Sequence, residues 1–326
     1  MARSYTLHTP ATAGSIDFAA ALNEQQLAAV QSPPGASLVI AGAGSGKTRT
    51  LTYRVAWLLE QGISPSSILL LTFTNKAAKE MIERVRDLLP GAGDGIWNGT
   101  FHSIGNRILR RHPEGVGFRE GFSIMDREDS EDMIASVLAK DGVVTTNKRF
   151  PKAGVLSDIF SYSINTGSPI SKVLAEKYRY FIPLAADIER VQGQYEARKK
   201  EANSMDFDDL LSKTLELFLT NPEIAARYQD QFRHILVDEY QDTNLLQSGL
   251  VDCLASRHGN VMVVGDDAQS IYSWRGANFE NILRFPETHP GAKVYKIETN
   301  YRSVPEVLNL ANASILGNEK QFPKNL

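Results

Sequence analysis

The sequence predicts an α/β fold: a P-loop parallel sheet with helices on both faces, interrupted by an all-helical inserted domain. Three observations predict it. Apolar, strand-like runs alternate with helical patterns along most of the chain. One run leads through a glycine-rich loop, Ala41-Gly42-Ala43-Gly44-Ser45-Gly46-Lys47-Thr48, straight into a helix. From about residue 114 to residue 202 no continuous apolar strand occurs and helical patterns take over.

Each element follows in order. Leu22-Asn23-Glu24-Gln25-Gln26 opens a short helix that Asn23 caps, and Pro33-Pro34-Gly35 ends it. Ser37-Leu38-Val39-Ile40 is the first buried strand. The helix after the glycine loop runs from Arg49 to Glu60, with Leu51, Val55, Leu58 and Leu59 on one face. Gly62 and Pro65 turn the chain into a second strand, Ile68 to Phe73, and Thr74-Asn75 starts a helix from Lys76 to Leu89. A loop from Gly91 to Gly95 precedes a short strand, Ile96 to Phe101, and a helix from Ser103 carries Arg107, Arg110 and Arg111. Helical patterns at Asp126 to Ala139, Ala153 to Asn165, Ile170 to Tyr180 and Leu184 to Ala202 make up the insertion. Strands return at His234 to Val237, Asn260 to Gly265 and Ala292 to Ile297. Strands that alternate with helices imply a parallel sheet covered on both faces.

Composition narrows the function. A length of 326 residues corresponds to about two domains. Lys plus Arg is 35 and Asp plus Glu is 38, a formal net charge of -3, which excludes a globally basic nucleic-acid binder; any such role falls to local patches. The basic runs at Arg107, Arg110, Arg111 and at Arg198, Lys199, Lys200 are candidates, although such runs are commonly solvated faces. Cys253 is the only cysteine, so a disulfide framework and a zinc cluster are excluded. No apolar run approaches membrane-spanning length, and residues 1–15 lack the apolar core of a signal peptide and read as a disordered leader. The expected setting is cytoplasmic, with no membrane partner.

The glycine loop has a direct chemical reading. Its glycines let the backbone turn tightly and approach an anion closely. Amides of the loop and of the new helix then point at phosphates, with Lys47 reaching the terminal phosphates and the Thr48 hydroxyl holding Mg²⁺. The bland alternative is a plain glycine-rich turn. Val237-Asp238-Glu239-Tyr240-Gln241-Asp242 follows an apolar run, so Asp238 emerges at the carboxyl end of a strand, where ligands of parallel sheets bind. One carboxylate there can hold Mg²⁺ and the next can deprotonate water; alone, the pair is equally a solvated acidic turn. Gly265-Asp266-Asp267-Ala268-Gln269 follows the next strand in the same way, placing Gln269 to sense a γ-phosphate. Tyr272 and Trp274 come next, either as platforms for single-stranded bases or as caps on the core.

Taken together, these residues resemble superfamily 1A DNA helicases of the UvrD/Rep/PcrA type. Leu22-Asn23-x-x-Gln26 is similar to that family's Q motif, and the loop at Ala41 to Thr48 to its motif I, alanine in first position included. Thr72-Phe73-Thr74-Asn75-Lys76-Ala77-Ala78 looks like motif Ia and Gly99-Thr100-Phe101-His102-Ser103 like motif Ib. Asp206-Phe207-Asp208-Asp209-Leu210 resembles the element that returns from the helical insertion. Asp238 to Asp242 looks like motif II, Gly265 to Gly276 like motif III, and Asn300-Tyr301-Arg302-Ser303 like motif IV. The resemblance covers nearly all of residues 20–326.

It implies a RecA-like domain 1A at 16–113 and 204–297, a helical domain 1B at 114–203, and the start of a second RecA-like domain at 298–326. It also implies site roles. ATP and Mg²⁺ would be the cofactors. Gln26 would read adenine and Tyr301 stack on it. Ala41, Gly42, Ala43, Gly44, Ser45, Gly46, Lys47 and Arg49 would bind phosphates, and Thr48 and Asp238 would hold Mg²⁺. Glu239 would be the general base, Gln269 the link from γ-phosphate to DNA, and Arg302 an arginine finger. Phe73, Asn75, His102, Tyr272, Trp274 and Arg275 would line a track for single-stranded DNA. The implied activity is ATP-driven 3′-to-5′ translocation and unwinding at single-strand and duplex junctions.

One departure bears on that activity. The family's motifs V and VI lie on the second RecA-like domain, and the chain reaches Leu326 without them. The resemblance therefore implies an N-terminal half that lacks its C-terminal helicase domains as partners and unwinds weakly or not at all. A nucleotide- or partner-binding module without turnover is one rival reading, and a P-loop kinase for a small metabolite is another. The resemblance leaves repair, replication restart and recombination open.

Overall fold

A computed structural model describes residues 16–140, 150–273, 276–318 and 320–324. The expected leader, residues 1–15, lies outside the described residues, as do Trp274 and Arg275. Among the described residues eight strands occur in chain order: β1 (Ser37–Ala41), β2 (Ile68–Thr72), β3 (Trp97–Thr100), β4 (Ser123–Ile124), β5 (Ser204–Met205), β6 (His234–Val237), β7 (Val261–Gly265) and β8 (Lys293–Ile297). Six of them form one parallel sheet in the order β3-β2-β6-β7-β1-β8.

Alternation along each strand sorts two cores. Val39 and Ala41, Ile68 and Leu70, Leu236, and Met262 and Val264 pack on one face, under the helices Lys47–Glu60 and Asn75–Leu88. Leu38 and Ile40, Leu69 and Leu71, Ile235 and Val237, and Val261 and Val263 pack on the other, under Phe101–Leu109, Phe207–Thr220 and Leu245–Ala255. A strand sends successive side chains to opposite faces, so strands that are apolar throughout require a cover on both sides. The central strands β1, β2 and β7 are buried at every position, as the sequence leads one to expect.

Local signals set the boundaries. Asn23 and Gln26 form a reciprocal capping box at the helix Glu24–Val30, Thr74 caps Asn75–Leu88, and Thr100 caps Phe101–Leu109. Helices Arg127–Lys140, Ala153–Thr166, Ile170–Lys177 and Ala185–Ala202 enclose a separate apolar cluster that includes Leu156, Phe160, Val173 and Val191. The expectation of no strand in this stretch is corrected at one point. Ser123–Ile124 pairs in parallel with Ser204–Met205, clamping the chain where it enters and leaves the helical part. A two-residue strand carries no periodicity, so it leaves no trace in the sequence. Phe118 and Phe122, inside the expected insertion, pack into the core of the main sheet instead.

Candidate functional site

The glycine loop leaves the carboxyl end of β1 between its neighbours β7 and β8. Gly46 takes a left-handed φ of +93° at the helix cap and Gly44 a φ of +79°. Both need to be glycine: a Cβ at Gly44 would lie 2.6 Å from Arg302 Cβ, and one at Gly46 would lie 2.7 Å from Gln26 Nε2. The segment after β8 closes over the loop. Asn300 Nδ2 donates to the Ala43 carbonyl, and the Tyr301 amide donates to the Gly44 carbonyl at 3.0 Å. Asn23 Nδ2 donates to the Tyr301 hydroxyl at 2.7 Å. A cleft of 590 Å³ results, lined by Gly42, Ala43, Gly44, Gly46, Lys47, Thr48, Arg49, Arg84, Glu239, Gln269, Tyr301 and Arg302.

The acids lie at the ends of neighbouring strands. Asp238 and Glu239 follow β6, and Glu239 holds a left-handed φ of +51°, which is uncommon outside glycine and asparagine. That turn brings Glu239 Oε2 to 3.8 Å from Lys47 Nζ. Burial, followed by the neighbouring Glu239, pushes the Asp238 carboxyl up to about 7, while Lys47 pulls the other way. Burial and Glu239 likewise raise Asp242 to about 6. Gln241, which the sequence reading passed over, bridges the acids to the next strand. Its Nε2 donates to Glu239 Oε2 at 2.8 Å, and its Oε1 accepts from the Asp266 amide at 3.0 Å. Gln269 Nε2 in turn donates to Asp266 Oδ2.

A second cavity, of 860 Å³, opens on the other side of Glu239 between the sheet and the inserted helices. Its walls include Phe73, His102, Phe207 and Tyr272, and its polar rim includes Asp238, Asp242, Asn165 and Lys177. The Phe73 and Tyr272 rings lie 4.9 Å apart at 30°, and His102 meets Phe207 edge to face at 6.1 Å. Phe73 is 38% exposed and Phe207 54%, so both rings offer a face to solvent. Burial lowers the pKa of His102 and so favours the neutral ring. Asn165 ties the inserted helix to this wall, donating to Asp208 Oδ1 at 2.7 Å and accepting from Asn244 Nδ2 at 2.6 Å.

The structure brings most of the expected residues to these two openings, with specific exceptions. Gln26 is buried behind the loop: its Nε2 donates to the Ser45 carbonyl at 3.0 Å and its Oε1 accepts from the Asn23 amide. Ala41 completes β1 inside the core, and Ser45 Oγ turns inward to the Gly42 carbonyl at 2.8 Å. Asn75 is exposed at its helix start but does not line the aromatic cavity. Asp238 lines the aromatic cavity and not the loop cleft; Glu239 alone lines both. Several lining residues carry no expectation from the sequence, Arg84 and Phe207 among them. Arg84 reaches the cleft from the middle of a helix whose sequence shows only a charged outer face, and Phe207 belongs to the element Asp206 to Leu210, whose sequence assigns it no role. An aromatic residue directly after the helix cap Asp206, at a position left exposed, was the available signal for Phe207.

Four residues of the basic runs are engaged within the fold. Arg107 and Arg111 stack on the Trp97 ring, and Arg110 stacks on Phe122. Lys199 is fully buried among Asp206, Asp209 and Glu196.

The donor set fits ATP and Mg²⁺. Gly44 and Gly46 form a cradle that a Cβ would fill, and Thr48 offers a hard oxygen in the same cleft, while Asp238, next to the shared Glu239, offers one from the adjoining cavity. Among the described residues no group of three or more His, Cys, Asp or Glu is placed to hold a metal ion. No helix among the described residues is long and apolar enough to cross a membrane.

The chain is similar to known proteins over most of its length. The family described as UvrD/REP helicase N-terminal domain matches residues 22–290. The ATP-dependent DNA helicase PcrA of Bacillus subtilis (strain 168) is 44% identical over 308 residues, covering 94% of this chain and 41% of that protein. The proteins of the same name from Staphylococcus aureus (strain Mu50 / ATCC 700699) and Staphylococcus epidermidis (strain ATCC 35984) are each 42% identical over 306 residues, with the same coverage. The chain thus spans 41% of the length of these curated relatives.

Proposed function

The chain belongs to the UvrD/REP helicase family, and from that premise we propose that residues 1–326 form the ATP-binding, DNA-sensing part of a 3′-to-5′ DNA helicase acting in the cytoplasm. One observation carries this reading: Glu239 lines both the glycine-loop cleft and the aromatic cavity. A strand of DNA on the Phe73, Phe207 and Tyr272 rings therefore lies against the same carboxylate that faces Lys47. Bases stack on such rings without regard to sequence, as a translocating motor requires.

Within this reading Lys47, Arg49, Arg84 and Arg302 neutralise phosphate charge, and Tyr301 stacks on the base. Thr48 and Asp238 would hold Mg²⁺, which when bound supplies charge neutralisation at the phosphates. Glu239 takes the proton of the attacking water, and Gln269 orients groups at the γ-phosphate. Gln26 supports the loop through Ser45 and faces adenine only if its amide turns outward. Asn75, Trp274 and Arg275 extend the DNA track on either side of Phe73 and Tyr272. Motifs V and VI and a second arginine finger belong to C-terminal helicase domains that complete the cleft. Residues 1–326 by themselves hydrolyse ATP slowly and unwind little, because loss of a finger removes a factor of roughly 10³–10⁵ in turnover.

The test is phosphate release from Mg-ATP with and without a single-stranded oligonucleotide, beside Lys47→Ala. Release stimulated by the strand and abolished in the variant is expected. An ATP analogue that binds in a Lys47-dependent way without any release would instead make the chain a binding module.

A further inference from the structure

Beyond motif IV the described chain folds back across the edge strand β8 and makes a contact to the start of motif III that the mechanism above does not use. After the helix Pro305–Ile315 it runs as an irregular strap. Phe322 packs against the core of the main sheet, and Lys296 Nζ on β8 donates to the Pro323 carbonyl at 2.6 Å. Lys324 of the strap is inserted between Asp266 Oδ1 and Asp267 Oδ1, the latter at 2.8 Å. These three side chains are only 3%, 2% and 1% exposed. Two buried carboxylates side by side repel each other unless a cation lies between them, and Lys324 is that cation.

We propose that Lys324 is a positioning residue for ATP turnover: by neutralising Asp266 it fixes the side-chain amide of Gln269 at the cleft. The geometry is a short chain of contacts. Asp266 divides its two oxygens. Oδ1 receives Lys324 together with the Ala268 amide, and Oδ2 receives Gln269 Nε2. The backbone amide of Asp266 holds Gln241 Oε1, and Gln241 Nε2 holds Glu239. Gly265 makes room for this bridge, since a Cβ there would lie 2.5 Å from Gln241 Oε1. A side chain some sixty residues further along the chain thereby orients Gln269 at the reacting phosphate, and seating of the strap becomes a condition for full turnover. The proposal rests on the hydrolysis reading above only in taking Gln269 to face that phosphate.

The test uses the whole chain. Lys324→Met is made alone and together with Asp267→Asn, which removes the extra buried charge, and Lys324→Arg is the conservative variant. Glutamine side-chain amides are isotope-labelled and read by NMR, with Gln269 assigned from the resonance lost in Gln269→Ala. Lys324→Met, alone or paired, is expected to move the Gln269 resonance to the position of a solvated amide, and Lys324→Arg to leave it. In turnover, kcat falls about tenfold while KM changes less than about twofold, and Lys324→Met lowers kcat no further in a Gln269→Ala background. An unmoved Gln269 resonance in the folded variants overturns the proposal, and so does an additive loss in the double variant. A moved resonance in a chain whose wild type releases no phosphate upholds the positioning role and overturns the hydrolysis reading instead.

Discussion

Gly44 shows how much one missing Cβ decides. With φ at +79° and Arg302 Cβ at 2.6 Å from where its own Cβ would stand, alanine there is strained twice, once in its backbone and once against motif IV. Gly44→Ala is expected to cost roughly 1–3 kcal/mol of stability and to lift Asn300 to Arg302 off the loop. Thermal unfolding reads the first effect, and the affinity of a fluorescent ADP analogue reads the second, which should fall about tenfold or more. Glu239 is the complementary case, a non-glycine residue held at positive φ, where the turn aims its carboxylate at Lys47. The loop's glycines and lysine were legible in the sequence because the motif is contiguous. The backbone state of Glu239 was not, since Asp-Glu-Tyr-Gln carries no signal for a left-handed residue.

Between elements, the handover from the helix Ala185–Ala202 to the helix Phe207–Thr220 is held by buried charge. Lys199 Nζ lies 2.8 Å from Asp206 Oδ2 and 2.7 Å from Asp209 Oδ2, and the Tyr195 hydroxyl donates to Asp206 at 2.9 Å. Burial opposes ionisation of Asp206, but Lys199 outweighs it and holds that carboxyl below its usual range. Burial and then Asp206 raise Asp209 to about 7. Asp206 and Asp209 also form the capping box of the second helix, so this cluster sets both where the helix starts and how it meets its neighbour. Lys199→Met leaves the carboxylates without their cation and is expected to destabilise the fold by about 3–5 kcal/mol, measured by urea unfolding. In the sequence Lys199 sits in Arg198-Lys199-Lys200 and looks like its exposed neighbours. Helical phase places it inward only once the partner helix is known.

At the scale of the whole molecule, the end of the sheet opposite the cleft carries a pH liability. His234 begins β6 beside Arg54, and burial, then Arg54 and His258, depress its pKa to about 4. Its folded value lies below the ordinary 6.5, so the unfolded chain binds the extra proton first. The stability contributed by neutral His234 is complete above pH 6.5 and is lost as pH falls from there toward 4. His234→Asn is expected to flatten that part of the curve of unfolding midpoint against pH. Equal slopes in wild type and variant would assign the acid sensitivity elsewhere, with His112 and His258 next in line because burial lowers both.

The sequence by itself determined the alternation of strands and helices, the glycine loop, the acids at strand ends and the order of the motifs. These are local: a strand's apolar run, a cap three residues before its partner and a contiguous loop need no distant contact to be read. Tertiary structure alone decided which opening each acid faces, that the Gln26 amide turns inward to Ser45, that Arg84 and Phe207 line the cavities, and that Lys324 reaches Asp266. Each of these depends on side chains from distant segments meeting in the fold, and no period or spacing within a segment encodes that meeting.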